Sequence, residues 1–456
     1  MTFRARSFGH ARRGTIMIDS KKYQVFTLKN FAKIPQVQSS LTKDQINSIE
    51  VVGNVLPFKV NNYVVDELID WDDIPNDPIF QLTFPQKKML EPAHFNEMQQ
   101  VLSQGYTQPE LKLVANNIRS KLNPHPAGQK DNIPVLGEHK LTGIQHKYRE
   151  TVLFFPSNSQ TCHAYCTFCF RWPQFVGMDE MKFAMKETDL LVQYLQKHKE
   201  VTDVLFTGGD PMVMSAKKFS EYIEPLLNAD IPNLQTIRIG TKALGYWPYR
   251  FINDKDTDEL LRIFEKVVNK GIQLAFMAHF NHPAELKTMA VQTAIQRILN
   301  TGAVIRTQSP IMNRINNSVD VWADMWKQQV KLGCIPYYMF VARDTGAQDY
   351  FAVTLEEAWK IYRKAYCNVS GIARTVRGPS MSADPGKVQI LGVQEINDEK
   401  VFVLNFIQGR NPNWVGKPFF AKHDSDAIWL SDLEPWSGED QFFFEEEMEQ
   451  TNLLMN

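Results

Sequence analysis

Five cysteines in 456 residues are too few, and too unevenly spread, for a disulfide scaffold. No run of about 18 apolar residues occurs, so no membrane-spanning helix is expected. The formal net charge is −1, which removes the whole-chain basic footprint of a nucleic-acid-binding protein. No secretory apolar region is visible either. The first 18 residues hold Arg4, Arg6, Arg12 and Arg13 and no acid. They lack a clear amphipathic pattern and read as a basic tail rather than a transit peptide. With 43% hydrophobic and 22% charged residues, the chain has an ordinary soluble composition. It is long enough for a large core and two or three domains. A cytoplasmic protein is expected, with neither membrane nor nucleic acid among its partners.

Three zones follow from the patterning, with a C-terminal segment after them. Residues 1–48 are a weakly patterned lead-in with a short strand expected at Tyr23–Thr27. Residues 49–148 alternate helical periodicity with proline turns such as Phe84-Pro85 and Asn123-Pro124-His125-Pro126, and read as a mostly helical cap. Residues 149–345 alternate short apolar runs with amphipathic stretches. Strands are expected at Val152–Phe155, Asp203–Thr207, Thr236–Gly240, Gln273–Met277, Val304–Gln308 and Tyr337–Val341. The intervening helices are expected at Thr188–His198, Ala216–Leu227, Thr257–Lys270, Glu285–Leu299 and Val321–Leu332. In the third helix Leu260, Leu261, Phe264, Val267 and Val268 recur at helical spacing, and Gly271 follows as a stop. Such a series implies parallel βα units winding right-handedly. The expected fold class is therefore α/β, an open six-stranded (β/α)6 partial barrel. Residues 346–456 form a C-terminal extension with one good strand, Val401–Phe406. Its acidic, aromatic tail (Phe442–Phe444, Glu445–Glu447) reads as a capping or solvated segment.

Three of the cysteines crowd into one loop after the first barrel strand, as Cys162-x3-Cys166-x2-Cys169, while Cys334 and Cys367 stand alone. In a reducing compartment such crowding points to metal. Three thiolates can hold three irons of a [4Fe-4S] cube. The fourth iron then keeps an open position, as a catalytic metal needs. A structural zinc would require a fourth ligand, and His163, adjacent to Cys162, is poorly placed for it. Inert thiols are the third reading.

The x3-x2 spacing with Phe168 before the last cysteine is the radical S-adenosylmethionine (SAM) signature. From about Leu56 to Gly409 the chain resembles the lysine 2,3-aminomutase family of radical SAM enzymes. The resemblance implies a barrel of radical SAM type and a SAM molecule on the open iron, cleaved by one electron to a 5′-deoxyadenosyl radical. It also implies roles for particular residues. Thr207-Gly208-Gly209-Asp210 matches the glycine-rich turn that receives the SAM amino group, where bare backbone suits close approach. His279, in His279-Phe280-Asn281-His282-Pro283, and Gln308, in Gln308-Ser309, match positions at the SAM site. Arg171 matches the arginine that pairs with the substrate α-carboxylate, a task suited to a bidentate guanidinium. These motifs fall at strand C-terminal ends, where barrel active sites assemble.

The family also holds pyridoxal phosphate (PLP) on a lysine that ends a glycine run. Here the matching segment is Ser380-Met381-Ser382-Ala383-Asp384-Pro385-Gly386-Lys387, with the lysine kept and one glycine left. It is no P-loop, since seven residues separate Gly378 from Gly386 and Val388 stands in the Ser/Thr place. The family places two aspartates around the distal ammonium of lysine. Those positions fall near Arg343 and Ser380, with Asp344 one residue off register. A cation opposite a cation disfavours lysine, whereas Arg343, helped by Arg374 or Arg377, suits a carboxylate. The family includes a glutamate-specific branch, so an acidic or neutral amino acid fits better. The family's C-terminal zinc cysteines are missing, and no such zinc is expected.

The expected activity is therefore that of an isomerase, an amino acid 2,3-aminomutase acting on an amino acid other than lysine. Its cofactors would be a [4Fe-4S] cluster, SAM and PLP, with an electron donor such as flavodoxin or ferredoxin. A homo-oligomer is left open. The alternatives are a PLP-independent radical SAM enzyme and a non-catalytic iron–sulfur or zinc protein.

Overall fold

The structure, a computed structural model, describes residues 18–123, 130–178, 183–436 and 438–448. The arginine-rich tail and the Pro124–Pro126 turn lie outside the described residues.

An eleven-stranded sheet organises the chain. Its strands are β1 (Ile144–Tyr148), β2 (Thr151–Phe154), β3 (Asp203–Phe206), β4 (Thr236–Thr241), β5 (Gln273–His279), β6 (Val304–Ile311), β7 (Ile335–Val341), β8 (Arg377–Ser382), β9 (Gly386–Ile396), β10 (Glu399–Gly409) and β11 (Pro418–Lys422), in that spatial order. Strands β2 to β8 run parallel to one another. The parallel run thus has seven strands, one more than the sequence suggested. The segment read as a lysine-bearing loop is instead strand β8 and its hairpin return into β9. Strand β1 is antiparallel to β2, and β9 to β11 form an antiparallel extension.

Each expected barrel strand is present and begins within two residues of the expected position. The apolar alternation explains why. Val204 and Phe206, Ile237 and Ile239, and Ile305 and Thr307 are buried on one face, while Leu205, Arg238, Arg306 and Gln308 are half-buried on the other. Period 2 puts these sets on opposite sides of the sheet. The buried side is covered by helices α1 (Thr188–Lys197), α2 (Ala216–Asn228), α3 (Thr257–Asn269), α4 (Met289–Asn300), α5 (Val319–Lys331) and α6 (Leu355–Cys367). In α3 Leu260, Leu261, Phe264 and Val267 are buried, and Gly271 takes φ +85° just past the helix end, the left-handed turn that glycine enters freely.

The sheet curls. Lys147 Nζ, on the β1 edge, donates to the Ala383 carbonyl at 2.5 Å, and Lys387 lies over the Tyr148 ring at 5.4 Å. First and ninth strands therefore meet through side chains, without a backbone ladder, around a half-buried face that carries arginines.

One continuous core runs from Phe31 in the N-terminal region to Val376. The helix Lys43–Val55 crosses position 48, so no break between elements occurs there. The short strand expected at Tyr23–Thr27 is Val25–Phe26, paired with Val60–Asn61. A second core lies under β8 to β11, with Phe402, Phe406, Trp414 and Phe419. Phe442 and Phe444 are buried in it, so the aromatic part of the tail is packed rather than solvated. The reason is area: each such ring buries enough apolar surface to outweigh ordering a short segment. No helix among the described residues is long and apolar enough to cross a membrane.

Candidate active site

The cysteine loop runs from β2 toward α1 and is clamped from two sides. The N-terminal region supplies the first clamp. Tyr165 N donates to the Lys59 carbonyl at 2.8 Å, Thr167 N to Leu82 O at 3.0 Å, and Thr167 Oγ1 to Gln81 O at 2.7 Å. Tyr23 Oη and Asn61 Nδ2 both donate to His163 O, at 2.7 and 3.2 Å. The turn after β3 supplies the second. Gly209 N donates to Ser159 O at 2.9 Å and Asp210 N to Thr161 O at 2.8 Å. A Cβ on Gly209 would stand 2.3 Å from Thr161 O, and Gly208 has φ +139°. In this structure the bare backbone therefore meets the cysteine loop. Gly209→Ala is expected to displace that loop, costing about 1–3 kcal/mol of stability by overpacking. Urea unfolding together with iron content per chain would measure both effects.

Cys162, Cys166 and Cys169 are half-buried free thiols on this loop. Burial pushes Cys169 up to about 11, Cys166 up to about 12, and Cys162 well above its ordinary range. Thiolates here need a bound cation to form at neutral pH. Among the described residues no three His, Cys, Asp or Glu side chains converge as a single ion would require. A zinc draws its ligands to within about 2.3 Å of one point, whereas a cube takes one thiolate per iron and keeps them apart. The donor set fits the cube better. Several polar atoms near the loop are buried without a protein partner: Gln160 Oε1, His163 Nδ1, Arg171 Nη1 and His279 Nε2. Buried polar atoms are normally satisfied, so these fit bound polar groups.

His279 closes β5, and its ring lies edge-on to Phe168, 5.7 Å between centroids. Burial and the nearby Lys242 ammonium hold its imidazole down to about 3, hence neutral. Gln308 is its register partner on β6, but sits within a strand that continues to Ile311 rather than ending it. The rest of the two motifs is scaffold. Asn281 Nδ2 donates to Ser309 Oγ at 2.9 Å, and His282 Nδ1 accepts from Ala284 N at 3.3 Å. Asp210 is similarly committed. Its carboxylate accepts from Met212 N, Thr241 Oγ1 and Lys242 N at 2.8–2.9 Å, pinning the end of β3 to that of β4. Burial raises it to about 6 despite those donors.

Arg171 is buried, stacked on Phe155 and Phe170 with its guanidinium 4.4 and 5.0 Å from the ring centres. Burial lowers it to about 10, and no carboxylate pairs with it among the described residues. Arg343, two residues beyond β7, shares the Phe170 ring from 5.3 Å and lies 5.7 Å from Trp429. Its Nε meets Asp344 Oδ1 at 3.4 Å. Arg374 does not join it. That side chain donates to Val369 O at 3.0 Å and Cys367 O at 3.4 Å, where helix-end carbonyls attract a cation. Arg377 is exposed at the start of β8, over the rings of Tyr337 and Tyr338, and Ser380 is buried within the strand. Lys387 is the second residue of β9. Its Nζ donates to Gln408 Oε1 at 2.7 Å and lies over Tyr338 at 4.7 Å. Burial, then the charges of Arg238, Arg377 and Lys147, lower it to about 7.

Sequence reasoning missed the supporting residues: Lys59, Lys147, Tyr148, Phe155, Tyr246 and Trp429. Only the proximity of Phe155 to β2 was visible; the others are distant in sequence.

No family model matches the chain. Among curated proteins it is 29% identical over 408 residues to an Aquifex aeolicus protein provisionally named L-lysine 2,3-aminomutase, covering 90% of this chain and 94% of that one. It is 27% identical to the L-lysine 2,3-aminomutase of Bacillus subtilis, over 64% of this chain and 59% of that one. Against the glutamate 2,3-aminomutase of Clostridioides difficile the figures are 25% identity, 73% and 67%. Among solved structures, a radical SAM methyltransferase from Sphaerobacter thermophilus aligns with a TM-score of 0.34 at 13% identity, over 51% of this chain and 68% of that one. Across 90% of its residues the chain is thus similar to proteins named for lysine 2,3-aminomutase activity.

Proposed function

We propose that this protein is a radical SAM aminomutase that moves the α-amino group of an amino acid other than lysine to its β-carbon. In this reading Cys162, Cys166 and Cys169 hold a [4Fe-4S] cluster, and Gly208, Gly209, Asp210, His279 and Gln308 form the SAM side of the site. Lys387 holds PLP through its amine, and the curled sheet is an open partial barrel of radical SAM type. The bound groups supply hydrogen abstraction and radical stabilisation, chemistry that protein side chains lack. The chain's own work is to orient the substrate, exclude water and keep protons in place.

One observation carries the reading: the buried Arg171 guanidinium, two residues from Cys169, has a free Nη1 and no described anion. A buried charge without a partner is costly, and a substrate α-carboxylate beside the cluster loop would satisfy it. The neutral His279 imidazole can accept or donate one hydrogen bond without adding charge. Arg343 and Asp344 line the far end, where a substrate carboxylate is favoured over an ammonium. The test is anaerobic reconstitution with iron, sulfide, SAM and PLP, followed by assay of the common amino acids for 5′-deoxyadenosine and β-amino acid. A chain that takes up iron and cleaves SAM, yet yields no β-amino acid from any of them, sinks the aminomutase reading.

Lys387 gives a separate prediction. A carbonyl-capturing lysine must be unprotonated to attack. An amine lowered to about 7 is half neutral near physiological pH, whereas an ordinary lysine is not. Borohydride reduction of PLP-treated protein should therefore leave a pyridoxyl group on Lys387, with yield rising through pH 7 rather than through pH about 10. Peptide mass mapping across that range measures it. A second reading, a PLP-independent radical SAM enzyme, is favoured by the tight β8–β9 hairpin. There Lys387 already bonds Gln408, and a Cβ on Gly386 would stand 2.2 Å from Gln408 O. No adduct at any lysine would make that reading the better one.

A further inference from the structure

Two side chains beside the cysteine loop have no part in the scheme above. Tyr246 ends a short helix after β4 and is buried. Its hydroxyl lies 3.9 Å from Cys166 Sγ. A ligating thiolate carries no proton, so between these two groups the phenol O–H is the donor. Lys59 reaches the loop from the N-terminal region. Its Nζ donates to Cys162 O at 2.7 Å and Thr161 Oγ1 at 3.1 Å, and no acidic group pairs with it among the described residues. Both Lys59 and Cys162 line a cleft of about 1270 Å³. The contrast with Lys242 is informative. That lysine also lies near Cys166, yet it forms a buried ion pair with Glu285 and adds little net charge.

Resting on the cluster of the proposed function, we propose that Tyr246 and Lys59 raise the reduction potential of that cluster. They would be positioning residues for its electronics rather than catalytic groups. Reduction adds one electron from an external low-potential one-electron donor, with no bond broken and no proton taken up. The added negative charge is stabilised by a nearby unpaired ammonium and by a hydrogen bond to a ligand sulfur, the two levers through which a protein tunes such clusters. Removing either lever should make the cluster harder to reduce.

The experiment is an anaerobic redox titration of the reconstituted full chain, followed by electron paramagnetic resonance of the reduced cluster, with iron and sulfide content measured in parallel. Tyr246→Phe and Lys59→Gln are each expected to lower the reduced-to-oxidised ratio at fixed potential by up to about tenfold, equivalent to about 59 mV for one electron. Lys59→Arg, which keeps the charge, should titrate close to wild type; a merely structural role would not separate the arginine from the glutamine variant. If one variant loses its cluster, the other decides. Full cluster content with unmoved potentials in Tyr246→Phe and Lys59→Gln overturns this inference alone. A wild-type chain that takes up no cluster overturns the proposed function and this inference with it.

Discussion

Replacing any one of Cys162, Cys166 or Cys169 by alanine is expected to abolish stable iron loading and SAM-dependent formation of 5′-deoxyadenosine. The three thiols sit on one loop fixed at its centre by the carbonyls of Lys59 and Leu82 and at its start by the Gly209 turn. Each would supply one iron with its only protein ligand, so no neighbour can substitute. His163 cannot take over, because its carbonyl is tied to Tyr23 and Asn61, which fixes the backbone beside Cys162. Cys334 and Cys367 make the internal controls. The first is a buried thiol just before β7 and the second an exposed one at the end of α6. Changing either should leave iron content and SAM cleavage intact. Iron per chain, sulfide per chain and anaerobic product analysis measure the effect. A Cys162→Ala protein that formed 5′-deoxyadenosine at the wild-type rate would refute the ligand assignment.

The substrate end carries the second large effect. Among the described residues Arg343 meets a carboxylate through its Nε alone, 3.4 Å from Asp344 Oδ1, which leaves its two terminal nitrogens for an acidic acceptor. Truncating one partner of a desolvated charge pair costs about 2–5 kcal/mol, or about 30- to several-thousand-fold in binding. Arg343→Ala should therefore weaken an acidic substrate by tens-fold or more, and should change a neutral one far less. Arg171→Ala should weaken every amino acid alike, because the α-carboxylate is common to them all. A screen of the twenty amino acids for SAM-dependent deuterium exchange, repeated on both variants, distinguishes the two arginines. Turnover of L-lysine above glutamate, glutamine and the neutral set would show that Arg343 does not face the distal end of the substrate.

The half-buried strand face bears on this specificity. In a closed eight-stranded barrel the inner face is filled by branched apolar side chains. Here it carries Arg238, Arg306, His279 and Gln308, with Asp203 paired to Arg238 at 2.8 Å. Polar groups on the half-buried face of a curled sheet fit ligand binding better than a packed plug.

Much of this was legible in the residues. The six expected strands and five expected helices are present because period 2 and period 3.6 are local consequences of which face is buried. The clustering of Cys162, Cys166 and Cys169 is also local, since residues so close in the chain share one loop. The seventh parallel strand was hidden, because Arg377–Ser382 carries a glycine and a proline (Gly378 and Pro379) and lacks the apolar alternation of its neighbours. The hairpin that follows was read as a loop for the same reason.

What the sequence by itself determined is the type and place of the six expected strands and five expected helices, and the crowding of three cysteines on one loop. What only the tertiary structure decided is who surrounds them. Lys59 lies 103 residues from Cys162 and Tyr246 lies 80 from Cys166, while Lys147 reaches Ala383 across 236. No local pattern specifies such pairs. They arise when the sheet curls and the N-terminal region docks on the cysteine loop, and both steps are driven by apolar burial that is indifferent to which polar side chains it brings together. The bracing of β3 to β4 by Asp210 arises in the same way. Its three donors, Met212 N, Thr241 Oγ1 and Lys242 N, come from two strand ends that only the folded sheet makes adjacent.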